Sequence, residues 1–119
     1  MANQNIASPG RGRSLYDLAI INLKTTYNLQ PDQLEKLLRV SITSLEESFA
    51  VATRALEDDN LGELQSVAHK IKGTLLGVGL NGQADMAREI EEDLRLEKRL
   101  DYRSLFAELQ SDIQSLLSV

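Results

Sequence analysis

The sequence predicts an all-α protein, an antiparallel four-helix bundle with an additional N-terminal helix packed across one end. Apolar residues recur every three to four positions along successive stretches, and no stretch shows the alternation of a β-strand. The connections between these stretches are short, which implies antiparallel neighbours. With 119 residues, 42% of them hydrophobic, the chain is suited to one domain with a continuous core.

The N-terminal segment differs from the rest of the chain. Residues 1–13 are polar and contain glycine and proline, so we expect a flexible tail before a helical domain over residues 14–119. Ser14 is a suitable N-cap for a first helix from Leu15 to about Thr26. Asn28 is a suitable stop. The expected apolar side of this helix contains Leu15, Leu18, Ile20 and Ile21.

Four longer helices follow. The second is expected from Pro31, which fits a first helical turn, to about Asp58, and the third over Leu61–Val78. The fourth is expected from Asn81 to about Glu97, and the fifth from Asp101 to the end. The expected core positions are Leu34, Leu38, Ile42, Leu45, Phe49, Ala52 and Leu56, then Leu61, Leu64, Val67, Ala68, Ile71, Leu75 and Val78, then Met86, Ala87, Ile90 and Leu94, and finally Leu105, Leu109, Ile113 and Leu116.

Two residue types mark the ends of the third helix. Asn60 or Asp59 can cap its N-terminus with a side-chain oxygen. Gly79 is a suitable residue just past its C-terminus, where the left-handed conformation favours glycine. These residues therefore bound the third helix at its two ends.

Composition excludes several classes of function. The chain has no cysteine and one histidine, which excludes cysteine chemistry and any cysteine-rich or multi-histidine metal centre within one chain. A net charge of −5 argues against general nucleic-acid binding. No apolar run has the length of a transmembrane helix, and no N-terminal signal segment is present. We therefore expect a soluble, cytoplasmic protein with neither a metal site nor a cofactor of its own. We also expect a monomer, because one bundle can bury the apolar stripes.

The single histidine, His69, lies on the third helix nearly opposite the core-facing side. This outer side is small and mostly uncharged, which is unusual for a solvated helix face and indicates a surface that a partner approaches. We expect Gln65, Ser66 and Leu76 to contact that partner, although Leu76 also fits a boundary packing role. The outer side consists of Gly62, Gln65, Ser66, His69, Lys72, Gly73 and Leu76.

The neighbours of His69 suit nucleophilic chemistry. An exposed imidazole can act as a nucleophile. Lys72, three residues on, can reach the oxygens of a phosphoryl group on the ring. Gly73, four residues on, costs about 1 kcal/mol against alanine inside a helix, and it leaves open space beside the imidazole. Lys70 is most simply a solvated charge that adds positive potential.

These residues resemble the signature of a known family. The run from Ala68 to Gly73, Ala-His-x-Ile-Lys-Gly, is similar to that of histidine-containing phosphotransfer (HPt) domains. Asp59-Asn60 upstream, with Gly79-Leu80 and Ile90-Glu91 downstream, resembles the flanks of that signature. The resemblance extends from Leu15 to the C-terminus.

The resemblance implies a phosphorelay intermediate. His69 would take a phosphoryl group from an aspartate of a receiver domain, in a response regulator or a hybrid sensor histidine kinase, and pass it to another. The receiver would supply Mg²⁺ and most catalytic groups. The chain lacks a nucleotide-binding loop, so we expect a phosphocarrier without ATP-binding or autokinase activity. Similar domains imply a role for the Thr74 hydroxyl near the phosphoryl group, while a bond back to the helix carbonyl is the alternative.

The register of the third and fourth helices suggests a partner for His69. His69 lies eleven residues before Leu80, at the centre of the turn, and Glu91 lies eleven residues after it. The two therefore stand at similar heights in an antiparallel pair. A carboxylate that accepts from Nδ1–H would leave Nε2 free to attack. Arg95, one turn on, would offset the charge of Glu91. Many family members have a glutamine or similar acceptor here, so glutamate is a departure.

Two alternatives remain open. The same signature suits the phospho-accepting domain of chemotaxis-type histidine kinases, which takes phosphate directly from an ATP-binding domain. A non-enzymatic helical adaptor of the same fold is the other alternative, although the presence of His69, Lys72 and Gly73 argues against it.

Overall fold

The computed structural model describes residues 11–117, with side chains from residue 15 onwards, and every regular element in this range is an α-helix. No helix in the described range is long and apolar enough to cross a membrane. In chain order the helices are α1 (Arg11–Tyr27), α2 (Pro31–Glu57), α3 (Leu61–Gly77), α4 (Asn81–Arg95), α5 (Tyr102–Asp112) and α6 (Gln114–Leu117).

Helices α2 to α5 form the predicted antiparallel four-helix bundle. α3 packs between α2 and α4, and α5 closes the bundle against α4 and α2. α1 packs on α2 and α6 at one end of the bundle. There, Asn22 Nδ2 donates to the carbonyl oxygen of Gly79 in the α3–α4 turn at 2.9 Å. The predicted fold class, including the N-terminal helix across one end, is confirmed.

The predicted ends of α3 are present. Asn60 Oδ1 accepts from the backbone N–H of Glu63 at 3.1 Å. At the other end Gly79 has a φ of +76°. The N–H groups of Gly79 and Leu80 donate to the carbonyls of Leu76 and Leu75, each at 3.0 Å. This pair of bonds is a Schellman motif, which ends α3 and turns the chain directly into α4.

The start of α1 differs from the prediction. The helix begins at Arg11, so residues 11–13 are helical and Ser14 lies within the helix, where it is not the predicted N-cap. Residues 1–10 of the predicted tail lie outside the described residues. The predicted stop is present, since Asn28 has a left-handed φ of 52°.

The buried side of α1 also differs from the prediction. Leu18 and Ile21 are 45% and 58% exposed, whereas Ala19 and Leu23 are buried. Packing against α2 and α6 sets this orientation, and helical spacing alone does not reveal it. Leu61, placed in the core by its spacing, is 49% exposed because it is the first residue of α3, beside the α2–α3 turn.

The remaining core follows the predicted seams with small shifts. The predicted positions Leu56, Met86 and Leu105 are half-buried and pack on the core edge. The continuous fifth helix is interrupted at Ile113, after which α6 packs against α1. Buried residues that the periodicity did not single out are Ala19, Leu23, Ser48, Ala55, Leu80, Ala84, Tyr102 and Phe106.

Replacing Gly79 with alanine tests the α3–α4 turn. A Cβ at this position would lie 2.6 Å from Cβ and Nδ2 of Asn22 and would carry a left-handed φ. We expect Gly79→Ala to lower the free energy of unfolding in urea by about 2 kcal/mol or more. Gly82→Ala is the matched control, because a Cβ there meets nothing within 4 Å. Equal stability of the two variants would contradict this account of the turn.

Candidate functional site

His69 lies on the outer face of α3, above a buried support. Ala68 and Ile71 on the same helix are fully buried, and Val67 is 5% exposed. The imidazole itself is 66% exposed. The helix is therefore held rigidly by its inner face while its histidine remains open to solvent.

Glu91 on α4 contacts the histidine across the hairpin. Its Oε2 lies 2.8 Å from His69 Nδ1. The Glu91 side chain is only 19% exposed, so the carboxylate is held at the edge of the core. The structure thus brings together the two side chains that the register placed at similar heights.

Lys72 contacts the same carboxylate from α3. Its Nζ lies 2.9 Å from Glu91 Oε1, and its side chain is 21% exposed. Each oxygen of Glu91 therefore has its own partner. Arg95, expected to offset the charge of Glu91, pairs instead with Glu92. The Lys72–Glu91 pair was not predicted, although Lys72 and Glu91 were both expected beside His69 and therefore close to each other.

The contacts of this cluster keep the Glu91 carboxyl ionised. Partial burial opposes ionisation of Glu91, but hydrogen bonds from Lys72 and His69 and the charge of Lys72 outweigh it. The pKa of Glu91 is therefore held below its usual value of 4.5. An ionised carboxylate can only accept hydrogen bonds, so His69 Nδ1 must carry the proton. In the neutral ring, Nε2 then presents an unprotonated lone pair.

The surface beside the imidazole is open. A Cβ built at Gly73 or at Gly77 would meet nothing within 4 Å. Leu76 is 42% exposed. Ser66 is exposed and Gln65 half-buried. The outer side of α3 can accordingly be approached closely along its length.

Thr74 and Lys70 lie at the margin of the cluster. Thr74 Oγ1 donates to the carbonyl oxygen of Lys70 at 3.0 Å, which is the helix-carbonyl alternative of the sequence analysis. Lys70 is exposed on the α2 side of α3. The structure brings His69, Lys72 and Glu91 together, and within the described residues neither Thr74 nor Lys70 forms a side-chain hydrogen bond or an ion pair with that cluster. In residues 11–117, no group of three potential metal ligands is placed to hold an ion.

Comparison with protein families identifies the family of this chain. The Hpt domain family model matches residues 36–119, more than half of the chain. The matched region runs from the second turn of α2 through α6 and includes the whole His69–Glu91–Lys72 cluster. The comparisons with curated proteins and with solved structures gave no match.

The lowered pKa of Glu91 makes a prediction for stability. The ion pair of Glu91 with Lys72 and the hydrogen bond that Glu91 accepts from His69 contribute fully above about pH 4.5 and are lost as the pH falls through the lowered folded-state pKa. We expect Glu91→Gln to lower the free energy of unfolding by about 1 kcal/mol at pH 7. The difference in unfolding free energy between wild type and Glu91→Gln should disappear as the carboxyl is protonated. Urea titrations of both proteins at several pH values measure this difference.

Glu89→Gln is the control for this measurement. It removes an exposed carboxylate that forms no ion pair with any described residue of α4 or its neighbours. We expect it to leave the free energy of unfolding unchanged across the same pH range. A Glu91→Gln difference that kept its size at pH values where the Glu91 carboxyl is protonated would contradict the role given to the ionised carboxylate.

Proposed function

Because the chain belongs to the Hpt domain family, whose members are phosphocarrier modules of two-component signalling, we propose that His69 carries a phosphoryl group between the aspartates of receiver domains. The observation that supports this most directly is the bond from His69 Nδ1 to Glu91, which in the neutral ring leaves Nε2 unprotonated on a side chain that is 66% exposed. A nucleophile with this geometry needs no base to remove a proton before it attacks.

The proposed step is a single displacement at phosphorus. The Nε2 lone pair attacks an aspartyl phosphate, the N–P bond forms, and the P–O bond to aspartate breaks. The aspartate leaves as a carboxylate with the bonding electron pair. The phosphorylated ring carries positive charge while Nδ1 keeps its proton, and the Glu91 carboxylate stabilises that charge at 2.8 Å. Transfer to a second aspartate is the reverse reaction.

Lys72 has a second role in this proposal. Its ammonium offsets the charge of Glu91, which would otherwise repel an incoming phosphoryl group. Since Lys72 follows His69 by three residues on the same helix, it also reaches the phosphoryl oxygens. Phosphoryl transfer depends mainly on positioning and charge stabilisation, and these two side chains contribute to both.

The receiver domain supplies the remaining chemistry in this scheme. Its aspartate carries the phosphoryl group, and its Mg²⁺ neutralises charge during transfer. The partner docks over the outer side of α3, where Gly73 leaves open space and Gln65, Ser66 and Leu76 form the surrounding contact surface.

Transfer from a phosphorylated receiver domain tests the phosphoacceptor. Wild type should acquire a label that is labile in acid and stable in base, and His69→Gln should acquire none, because the chain has no other histidine. Circular dichroism checks that the variant is folded. Wild type that stays unlabelled across a panel of receivers, but is labelled by a chemotaxis-type kinase domain added in trans, would favour that alternative instead.

Gly73→Ala tests close approach by the partner. The added methyl group meets nothing within the protein, so helix propensity should raise the free energy of unfolding by up to about 1 kcal/mol. Transfer from the receiver should nevertheless slow by about tenfold, because the methyl group enters the partner's space. Gly82→Ala, with equally open space at the start of α4, should leave transfer unchanged. Normal transfer by Gly73→Ala would contradict the proposed docking surface.

A further inference from the structure

A groove lies between α2 and α3 on the side of His69 away from Glu91. Its volume is about 300 Å³. Around the axis of α3, at about 100° per residue, Lys70 lies about 100° from His69 on the side of the groove. Lys72 lies about 60° from His69 on the other side, toward Glu91. The groove is lined by Glu47, Ser48 and Val51 of α2 and by Glu63, Val67 and Lys70 of α3.

The groove is close enough to His69 to be covered by the same partner. Ser66, which also lines it, precedes His69 by three residues, or about 4.5 Å along the helix axis. Glu63 lies about 9 Å from His69 along the same axis. A domain that places an aspartyl phosphate at Nε2 therefore extends over this groove.

The charge of the groove is unbalanced. Two carboxylates, Glu47 and Glu63, line it together with one ammonium group, Lys70. None of these three side chains forms an ion pair with another residue of the described chain. The surplus negative charge favours a cationic group from outside.

A buried hydroxyl provides an independent indication of a ligand. Ser48 lines the groove, yet it is only 2% exposed, and its Oγ has no hydrogen-bond partner among the described residues. A buried polar group without a partner is costly, so such groups usually have one. A hydrogen-bond donor entering the groove would supply the partner that Ser48 lacks.

We propose that this groove binds a lysine or arginine side chain of the receiver domain that docks over His69, which rests on the proposed function. A volume of 300 Å³ is at the lower limit for small-molecule sites and suits one long side chain. Val51 and Val67 pack against its methylene stem, Glu47 and Glu63 pair with its charge, and Ser48 Oγ accepts from one of its N–H groups.

Receiver-dependent transfer kinetics test the two carboxylates. For the double variant Glu47→Gln/Glu63→Gln, the concentration of phosphorylated receiver at half-maximal transfer rate (KM) should rise by about three- to tenfold, with the limiting transfer rate unchanged. Lys70→Gln should lower the same KM, because it removes a charge that repels the cation. The matched control is Glu46→Gln/Glu89→Gln, which removes two exposed carboxylates outside the groove.

Ser48→Ala separates binding from folding. It removes an unpartnered buried hydroxyl, so the free energy of unfolding should stay equal or rise. The KM for the receiver should nevertheless increase. If Ser48 had only a structural role, Ser48→Ala would not raise the KM for the receiver while leaving the free energy of unfolding unchanged or higher.

Alanine substitution of each lysine and arginine of the receiver then locates the partner side chain. One position should show coupling to Glu47→Gln/Glu63→Gln in a double-mutant cycle. Absence of coupling at every position, or a KM for the double variant equal to that of its control, overturns the groove proposal while the proposed function stands. Failure of wild type to accept phosphate from any receiver overturns both.

Discussion

The Glu91 carboxylate accepts from His69 Nδ1 through one oxygen and from Lys72 Nζ through the other, at 2.8 and 2.9 Å. This arrangement requires α3 and α4 to be in one register, because Glu91 is 22 residues from His69 in sequence. Gly79, in the left-handed conformation, ends α3, and the buried Leu80 directly precedes α4. This short turn sets the register of the two helices. A turn at the end of the bundle thus places the Glu91 carboxylate beside Nδ1 of a histidine near the middle of α3.

The same helix combines a rigid support with an open face. The inner side of α3 is buried between α2 and α4, while its outer side has glycine where other helices have bulkier residues. Glycine at 73, in the interior of α3, costs helical stability and gains nothing from packing, since a Cβ there would meet nothing within 4 Å beyond its own helix backbone. This cost is understandable if a second protein must approach the imidazole at close range.

Residue periodicity predicted the bundle and the burial of most core positions, because a core-facing seam must repeat with the helical period. The proximity of Glu91 to His69 followed from equal distances to a short turn. Features that depend on tertiary packing could not be predicted from residue periodicity or turn position. The buried side of α1 is determined by its packing against α2 and α6. The helix break at Ile113 occurs without a glycine or proline nearby that would predict it. The Lys72–Glu91 pair depends on side-chain reach across two helices.

Nitrogen NMR of the imidazole is the most direct test of the central claim that Glu91 keeps the proton on Nδ1. The chain has a single histidine, so the spectrum of ¹⁵N-labelled protein contains one ring. For neutral His69 in wild type, we expect a protonated Nδ1 and an unprotonated Nε2, and a shift toward the other tautomer in Glu91→Gln. A wild-type ring protonated mainly at Nε2 would contradict it, since the exposed nitrogen would then lack the lone pair that attacks phosphorus.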